Sequence, residues 1–384
     1  MELTALILGS GFAGQGHTLA LRDAGVTVIG MVSRTAEVVE RVAASLAIPF
    51  AGVDFQQALS TLKPDIVAVA TPGGAHFEPV MAALEAGCHI YCDKPLAATP
   101  SQAKLMYQKA VAVGVKTAYA ASYCYQPHAL FAQELIAEGA IGEPLEVECV
   151  SHFNLDPLIP FGWSHRLEDG GGRLNNNFTH KLSIVESVLG GRVVAVSGEV
   201  RNDMPQAPVV PGVHDFRYRR QFAPSSADEP GLKWAEANAE WSYTVLAHIQ
   251  PEQPVSQPVS AVFRHSALQP RFQDDYIAFY GREGAIYIQG HYGQGPLYLS
   301  QKRGSWTQIP LPARILHTLP DVEDDTQRNW NQLAREFVAD IRGEGYNEYQ
   351  TFQDGWVYQE IIEFIRNAHA DGWMDCNGFY TEEG

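Results

Sequence analysis

Along the first 120 residues, short unbroken apolar runs alternate with stretches whose apolar residues recur at helical spacing. The runs LTALILG (3–9), VTVIGMV (26–32), DIVAVAT (65–71), CHIYC (88–92) and KTAYAA (116–121) predict strands. Apolar residues on both alternations mean burial on both faces of a sheet. Helices are expected near 13–24, where Gly25 stops the first, and near 36–47, 77–86 and 100–113. Strands and helices alternating at this spacing predict a doubly wound parallel sheet.

After about residue 125 the pattern changes. Helices near 128–138 and 174–189 are followed by the strand-like runs RVVAVSGEV, AEWSYTVLAHI, PVSAVFRH, YIAFYG, GAIYIQG and PLYLSQ, with Pro-rich loops at 205–212, 223–231 and 251–258. Two further helical pieces fill Thr326 to Ala370. The expectation is an α/β chain. An N-terminal Rossmann domain, a doubly wound parallel sheet over 1–124, precedes a C-terminal α+β domain over 125–384 with a large, mainly antiparallel open sheet. The second domain would bind substrate and carry an oligomer contact, and the final helices would pack back on the first. At 384 residues the chain exceeds one ordinary core, which agrees with two domains.

Composition narrows the partners. Hydrophobic residues make up 46% and charged residues 18%, as in ordinary globular chains. The formal net charge of −17 repels phosphate backbones and anionic lipid, which argues against nucleic acid and membrane surfaces as partners. The dense basic cluster RYRR (217–220) reads as a solvated turn or a local salt-bridge site. No run approaches the roughly 18 apolar residues of a membrane span. The start MELTALILGSG has no basic region and breaks at Gly9, so it reads as a strand and not a signal peptide. Five cysteines (88, 92, 124, 149, 376) form an odd count without metal spacing. No metal is expected, and reduced thiols suggest a cytoplasmic protein.

Candidate chemistry clusters where strands end. In GSGFAG (9–14), Gly9 permits a tight turn, Gly11 lets backbone approach a pyrophosphate, and Gly14 allows close helix–strand packing. Phe12 and Ala13 open the helix, whose free N–H groups would face the anion. At the end of the second strand an NAD site would carry an acid about 20 residues on. Here stand Ser33, Arg34 and Thr35. A guanidinium can pair with a 2′-phosphate, so NADP is preferred, with NAD possible should Arg34 only stack on adenine. Thr71, Pro72 and His76 in ATPGGAH sit at the carboxyl edge where open sheets bind ligands. One strand over, CDKPLA fixes Asp93 and Lys94 at the same edge, because Pro95 cannot continue a central strand.

The stretch GGGRLNNNFTHKLSIVESVLGG (170–191) is the last informative one. On a wheel of about 100° per residue, Phe178, Leu182, Val185 and Leu189 form an apolar stripe. Asn176, His180, Ser183 and Ser187 form an uncharged polar stripe opposite, with Lys181 and Glu186 on the flanks. Such a helix suits the wall of a cleft, and His180 is the best candidate for moving a proton.

These residues resemble the glucose–fructose oxidoreductase / inositol dehydrogenase family. GSGFAG, ATPGGAH, CDKPLA, GGGRLNNNFTHKL, GREGAIYI and TFQDG occur in the family's order. The resemblance implies hydride transfer between nicotinamide and a carbinol or carbonyl carbon, usually of a sugar or cyclitol. It places the family's motif lysine on Lys94 and its catalytic histidine on His180, and it implies a homo-oligomer, dimer or tetramer, formed through the C-terminal sheet. Lys94, His180 and Asn176 are thus the candidate catalytic residues, and Tyr123 and Trp163 are further candidate substrate contacts. Three departures stand out. Asp93 replaces the usual Glu. Asn176 stands where the family has Asp, which removes a negative charge beside His180. SYCYQPH (122–128) lacks the family's usual Asn and Arg, so the common sugar pocket is not carried over. A nucleotide-binding sensor of the same fold, and a reductase of C=C or C=N bonds like the biliverdin reductases, are the alternatives.

Overall fold

The computed structural model describes residues 2–213, 218–269, 275–345, 349–367 and 372–380. Arg217 of the basic cluster lies outside them. The N-terminal sheet contains β1 (Thr4–Leu8), β2 (Thr27–Val32), β3 (Phe50–Gly52), β4 (Ile66–Val69), β5 (His89–Cys92) and β6 (Thr117–Tyr119). All pairings are parallel, in the order β3-β2-β1-β4-β5-β6. Helices α1 (Phe12–Asp23), α2 (Ala36–Ser45), α3 (Phe55–Leu62), α4 (Phe77–Glu85) and α5 (Pro100–Val113) cross over between strands. Because the order reverses between β1 and β4, their carboxyl ends diverge and open a crevice. The three-residue edge strand β3 and the short α3 are absent from the sequence expectation. Neither carries a run of buried residues: β3 is only half-buried, and α3 buries Ala58 alone.

The second sheet follows helix α6 (Pro127–Ala137) and strand β7 (Pro144–His152). Helix α7 (Thr179–Leu189) leads to β8 (Gly191–Arg201), and β9 (Gln206–Val209) pairs with β10 (Lys233–Glu236) in a separate two-stranded ribbon. Then come β11 (Ser242–Pro251), β12 (Val259–Ser266), β13 (Tyr276–Gly281), β14 (Gly284–Gln289), β15 (Leu297–Gln301) and β16 (Thr307–Ile309). Helices α8 (Ala313–His317), α9 (Asp325–Arg342) and α10 (Phe352–Asn367) precede the short β17 (Met374–Asp375). The nine-stranded order is β16-β15-β14-β13-β7-β12-β11-β8-β17, antiparallel except where β12 lies parallel to β7. This is the mainly antiparallel open sheet expected.

Two differences from expectation have physical reasons. Central strand β7, PLEVECVSH, escapes a search for apolar runs because Glu146 and Glu148 alternate with the inward Val147 and Cys149. Tyr276 and Tyr280 donate to Glu148 at 3.1 and 3.0 Å on the outer face. The Pro-rich stretch 205–212 also contains a strand, β9. A two-stranded ribbon has only edges, so Pro208 costs it no central ladder bond.

The last long helices do pack on the N-terminal sheet's helices. Trp330 of α9 sits against α1, its ring 4.7 Å from that of His17, and a Cβ on Gly16 would lie 2.1 Å from it. Gln327 donates to the Gly16 carbonyl at 2.9 Å, and Tyr119 N–H donates to the Gln350 carbonyl at 2.8 Å. Among the described residues no helix is long and apolar enough to cross a membrane, and the five cysteines are free thiols.

Candidate active site

The glycine loop has the shape its sequence requires. Gly9 holds φ at +114°, a region L side chains rarely adopt. A Cβ on Gly14 would lie 1.9 Å from the Gly9 carbonyl oxygen, so nothing larger fits between β1 and α1. A Cβ on Gly11 would meet nothing within 4 Å, which leaves the space in front of the helix start open. Helix α1 has no side-chain cap and no acid in its first turn, so the positive end of its dipole faces the crevice uncompensated by a first-turn acid. These features fit a dinucleotide's pyrophosphate. At the end of β2, Ser10 Oγ donates to Ser33 Oγ at 2.9 Å, while Arg34 and Thr35 are exposed.

At the end of β4, Thr71 Oγ1 is buried without a partner. His76 is fully buried, with Nε2 2.6 Å from the Thr71 carbonyl oxygen and Nδ1 3.2 Å from that of Leu96. Both ring nitrogens are thus turned to backbone, and His76 ties the β4 and β5 exits together. The Pro72-Gly73-Gly74 turn also has a second purpose. A Cβ on Gly73 would lie 2.6 Å from Pro95 Cγ, and one on Gly74 2.0 Å from the Glu168 carbonyl oxygen. The glycines let the second domain close on this edge.

Lys94 follows β5, its backbone N–H donating to Asp93 Oδ1 at 2.8 Å, and the Lys94–Pro95 peptide is cis. Its Nζ donates to Asn176 Oδ1 at 2.9 Å. Asn176 in turn donates to the carbonyls of Gly172 at 2.7 Å and Gly170 at 3.3 Å. This residue belongs to a π-helical turn, Leu174–Phe178, that runs into α7 and puts His180 on the next turn. A single-turn π insertion of this kind is frequent at functional sites. His180 is 6% exposed, and its Nδ1 is buried without a partner. Burial lowers its pKa well below 6.5, and the Lys94 charge lowers it further. The imidazole is therefore neutral at neutral pH. Burial also lowers Lys94's pKa; Asp93 opposes this and Arg173 adds to it.

Rings pack beside His180. Tyr123 packs edge-on to His180 at 4.6 Å and bonds Thr326 at 2.9 Å. Tyr292 lies 4.3 Å from the Tyr123 ring and 5.3 Å from His180. Asn177 donates to the Tyr292 hydroxyl at 3.1 Å. Tyr292 was not among the sequence candidates. Its only local signal is an aromatic between glycines in GHYGQG, on a hairpin whose reach only the fold fixes. Trp163 sits on the turn Trp163–His165, whose backbone packs against Gly171. The flank assignment of Lys181 and Glu186 is corrected: both are buried, because α7 is covered on all sides. Glu186, pushed up to about 7 by burial, accepts from Val193 N–H at 2.8 Å and Tyr358 Oη at 2.6 Å. Among the described residues no cluster of His, Cys, Asp and Glu is placed to hold a metal ion.

Fold and site together define a Rossmann-type nicotinamide-nucleotide protein with a sheet-bearing second domain. The chain belongs to the GFO/IDH/MocA oxidoreductase family. Residues 3–120 match its oxidoreductase family, NAD-binding Rossmann fold, and residues 130–287 match the GFO/IDH/MocA C-terminal domain. Levoglucosan dehydrogenase of Pseudarthrobacter phenanthrenivorans is 30% identical over 229 residues, 56% of this chain and 58% of that protein. D-glucoside 3-dehydrogenase of Escherichia coli is 34% identical over 140 residues, 36% of this chain and 39% of that protein. Both matches span less than two thirds of the relative's length. A solved structure of levoglucosan dehydrogenase in complex with NADH shares the fold, with a TM-score of 0.81 at 19% identity over 98% of this chain and 99% of that one.

The neutral Asn176 generates one expectation here. Asn176→Asp should raise the His180 pKa, because a carboxylate one turn away favours the imidazolium. Imidazole titration by NMR reads this directly, and an unchanged or lowered value would contradict the arrangement.

Proposed function

We propose that the protein is a nicotinamide-dependent oxidoreductase interconverting a carbinol and a carbonyl carbon on a small polyhydroxylated substrate, a sugar, cyclitol or derivative. The observation that carries this reading is the 2.9 Å bond from Lys94 Nζ to Asn176. It brings an ammonium and a neutral imidazole to the edge where the glycine loop opens. The two named dehydrogenases support the reaction class.

Bound nicotinamide supplies or accepts the hydride. The chain's residues do the remaining work. The Lys94 ammonium stabilises negative charge developing on the substrate oxygen. Asn176, being neutral, orients that ammonium without cancelling its charge. His180 takes the hydroxyl proton during oxidation and returns it to the oxygen during reduction. Tyr123 and Tyr292 wall the pocket and limit water. Asp93, Thr71 and the loop Gly9–Gly14 hold the nucleotide.

Lys94→Ala should cut turnover while leaving nucleotide affinity nearly unchanged, since the lysine acts on charge present mainly in the transition state. His180→Ala should lower the rate by about 10²–10⁴. Nicotinamide absorbance against a panel of sugars, cyclitols and their keto forms reads both. Wild-type rates for both variants on a verified substrate would misplace the site and favour a sensor.

The preferred nucleotide on this reading is NADP. Arg34 is exposed and makes no hydrogen bond or ion pair with the described residues, and Ser33 beside it is already oriented by Ser10. Arg34→Ala should weaken NADP binding by about 1.5–3 kcal/mol and hardly touch NAD. Equal losses would reject the assignment.

The protein also forms a homo-oligomer through the outer face of its large sheet, and its unpaired thiols suit a reducing, cytoplasmic setting. On that face Tyr276, Tyr287 and Tyr298 make a ring ladder at 5.1 and 6.0 Å, next to Trp306, which is 47% exposed. So many aromatics on one sheet face support an interaction surface there. Light scattering at micromolar concentration should find a dimer or tetramer; a monomer would overturn this.

A further inference from the structure

We propose that the substrate carries an oxyanion, a carboxylate or phosphate, and that Arg173 binds it. This rests on the oxidoreductase reading and narrows its substrate to acidic sugars or polyols.

Arg173 stands three residues before Asn176, at the N-cap of the π-helical turn whose Asn176 bonds Lys94. Its guanidinium carbon lies 4.8 Å from the Trp241 ring centre and 5.1 Å from that of Phe153. The two rings cover the group and fix its orientation. What remains for bonding is its edge of N–H donors, the fork that matches two oxygens of a carboxylate or phosphate. Nothing in the described chain takes that edge. Arg173 makes no side-chain hydrogen bond and no ion pair with any described residue, and its Nε is fully buried without a partner. The side chain as a whole is half-buried, so a ligand can reach it.

The carboxylate whose charge reaches Arg173 is Glu240, and that group is already committed. Its two oxygens accept from Arg366 at 3.0 Å each, and Oε1 also accepts from the Leu174 N–H at 2.9 Å. A second cation adds to the excess. Arg219 donates to Ser164 Oγ, and its charge and that of Arg173 repel. Burial pulls both guanidinium groups down to about 10. A chain with a net charge of −17 thus gathers Lys94, Arg173 and Arg219, with Asp93 beside the lysine and Glu240 held by Arg366, so the two arginines keep no uncommitted acid of their own among the described residues. An anionic substrate group supplies that compensation. A neutral sugar would leave the Arg173 donors unpaired in a partly dehydrated wall.

The test uses the whole protein saturated with nicotinamide nucleotide and reads binding by tryptophan fluorescence or calorimetry, independently of turnover. The probes are D-gluconate, D-glucuronate and D-glucose 6-phosphate, set against neutral D-glucose and myo-inositol. At least one anionic probe should bind about tenfold or more tighter than the neutral ones, and more weakly as salt rises. Preference between carboxylate and phosphate probes identifies the oxyanion. Arg173→Gln should lose about 10- to 100-fold for the preferred anion and leave neutral probes nearly unchanged. Arg173→Lys should fall between, since it keeps the charge and loses the fork. Neutral probes binding as tightly as all the anions, or Arg173→Gln weakening both kinds equally, would overturn the proposal. Should Arg173→Gln fail to fold, the wild-type anion-to-neutral ratio and its salt dependence decide alone. Anion binding without any change in nicotinamide absorbance would count against the oxidoreductase reading and leave the anion site standing.

Discussion

The structure depends on one polar contact across the domain joint, from Lys94 Nζ to Asn176 Oδ1 at 2.9 Å. Each end is held by its own domain. Lys94 leaves the end of β5 with its N–H on Asp93, and Asn176 hangs from the carbonyls of Gly170 and Gly172. The joint can close this far only because the surfaces around it lack side chains. Gly73, Gly74 and Gly170 meet Pro95 and the Glu168 backbone at distances that would put any Cβ within 3 Å of a neighbour. Small residues here set the separation of the domains, and that separation sets the pocket.

Loss of solvation then sets the protonation states around the joint. His17, His76, His180 and His265 are all buried and all have lowered pKa values, with loss of solvation the first cause in each case. They are neutral groups at neutral pH. The positive charge nearby belongs to lysine and arginine, whose pKa values burial also lowers, Arg173's to about 10. On the proposed mechanism a neutral imidazole beside a lysine separates two tasks: one group moves a proton, the other holds charge. Asn176 keeps them distinct because it bonds the ammonium without adding a carboxylate that would favour the imidazolium.

Much of this was legible in the chain. Apolar runs of five to seven residues, followed by glycine and a helical period, determine a parallel sheet with a nucleotide edge, because both signals act over neighbouring residues. Gly9, Gly11 and Gly14 are read correctly for the same reason: the turn they permit is local. Strand β7 was not legible, since alternating glutamates make sense only once the outer sheet face is known. The setting of His76 was not legible, because which way a ring at a strand end turns depends on the β5 exit 20 residues away.

The sequence alone determined the class of fold, the nucleotide loop, and the presence of a lysine and a histidine suited to hydride chemistry. Tertiary structure alone decided which groups share a pocket. Tyr292 reaches His180 from a distant hairpin, Arg173 is caged by Phe153 just after β7 and Trp241 just before β11, and Lys181 and Glu186 are buried by packing on every side of α7. Local periodicity reports which face of an element is apolar. It carries no information about what covers the other face, and here that covering makes the site.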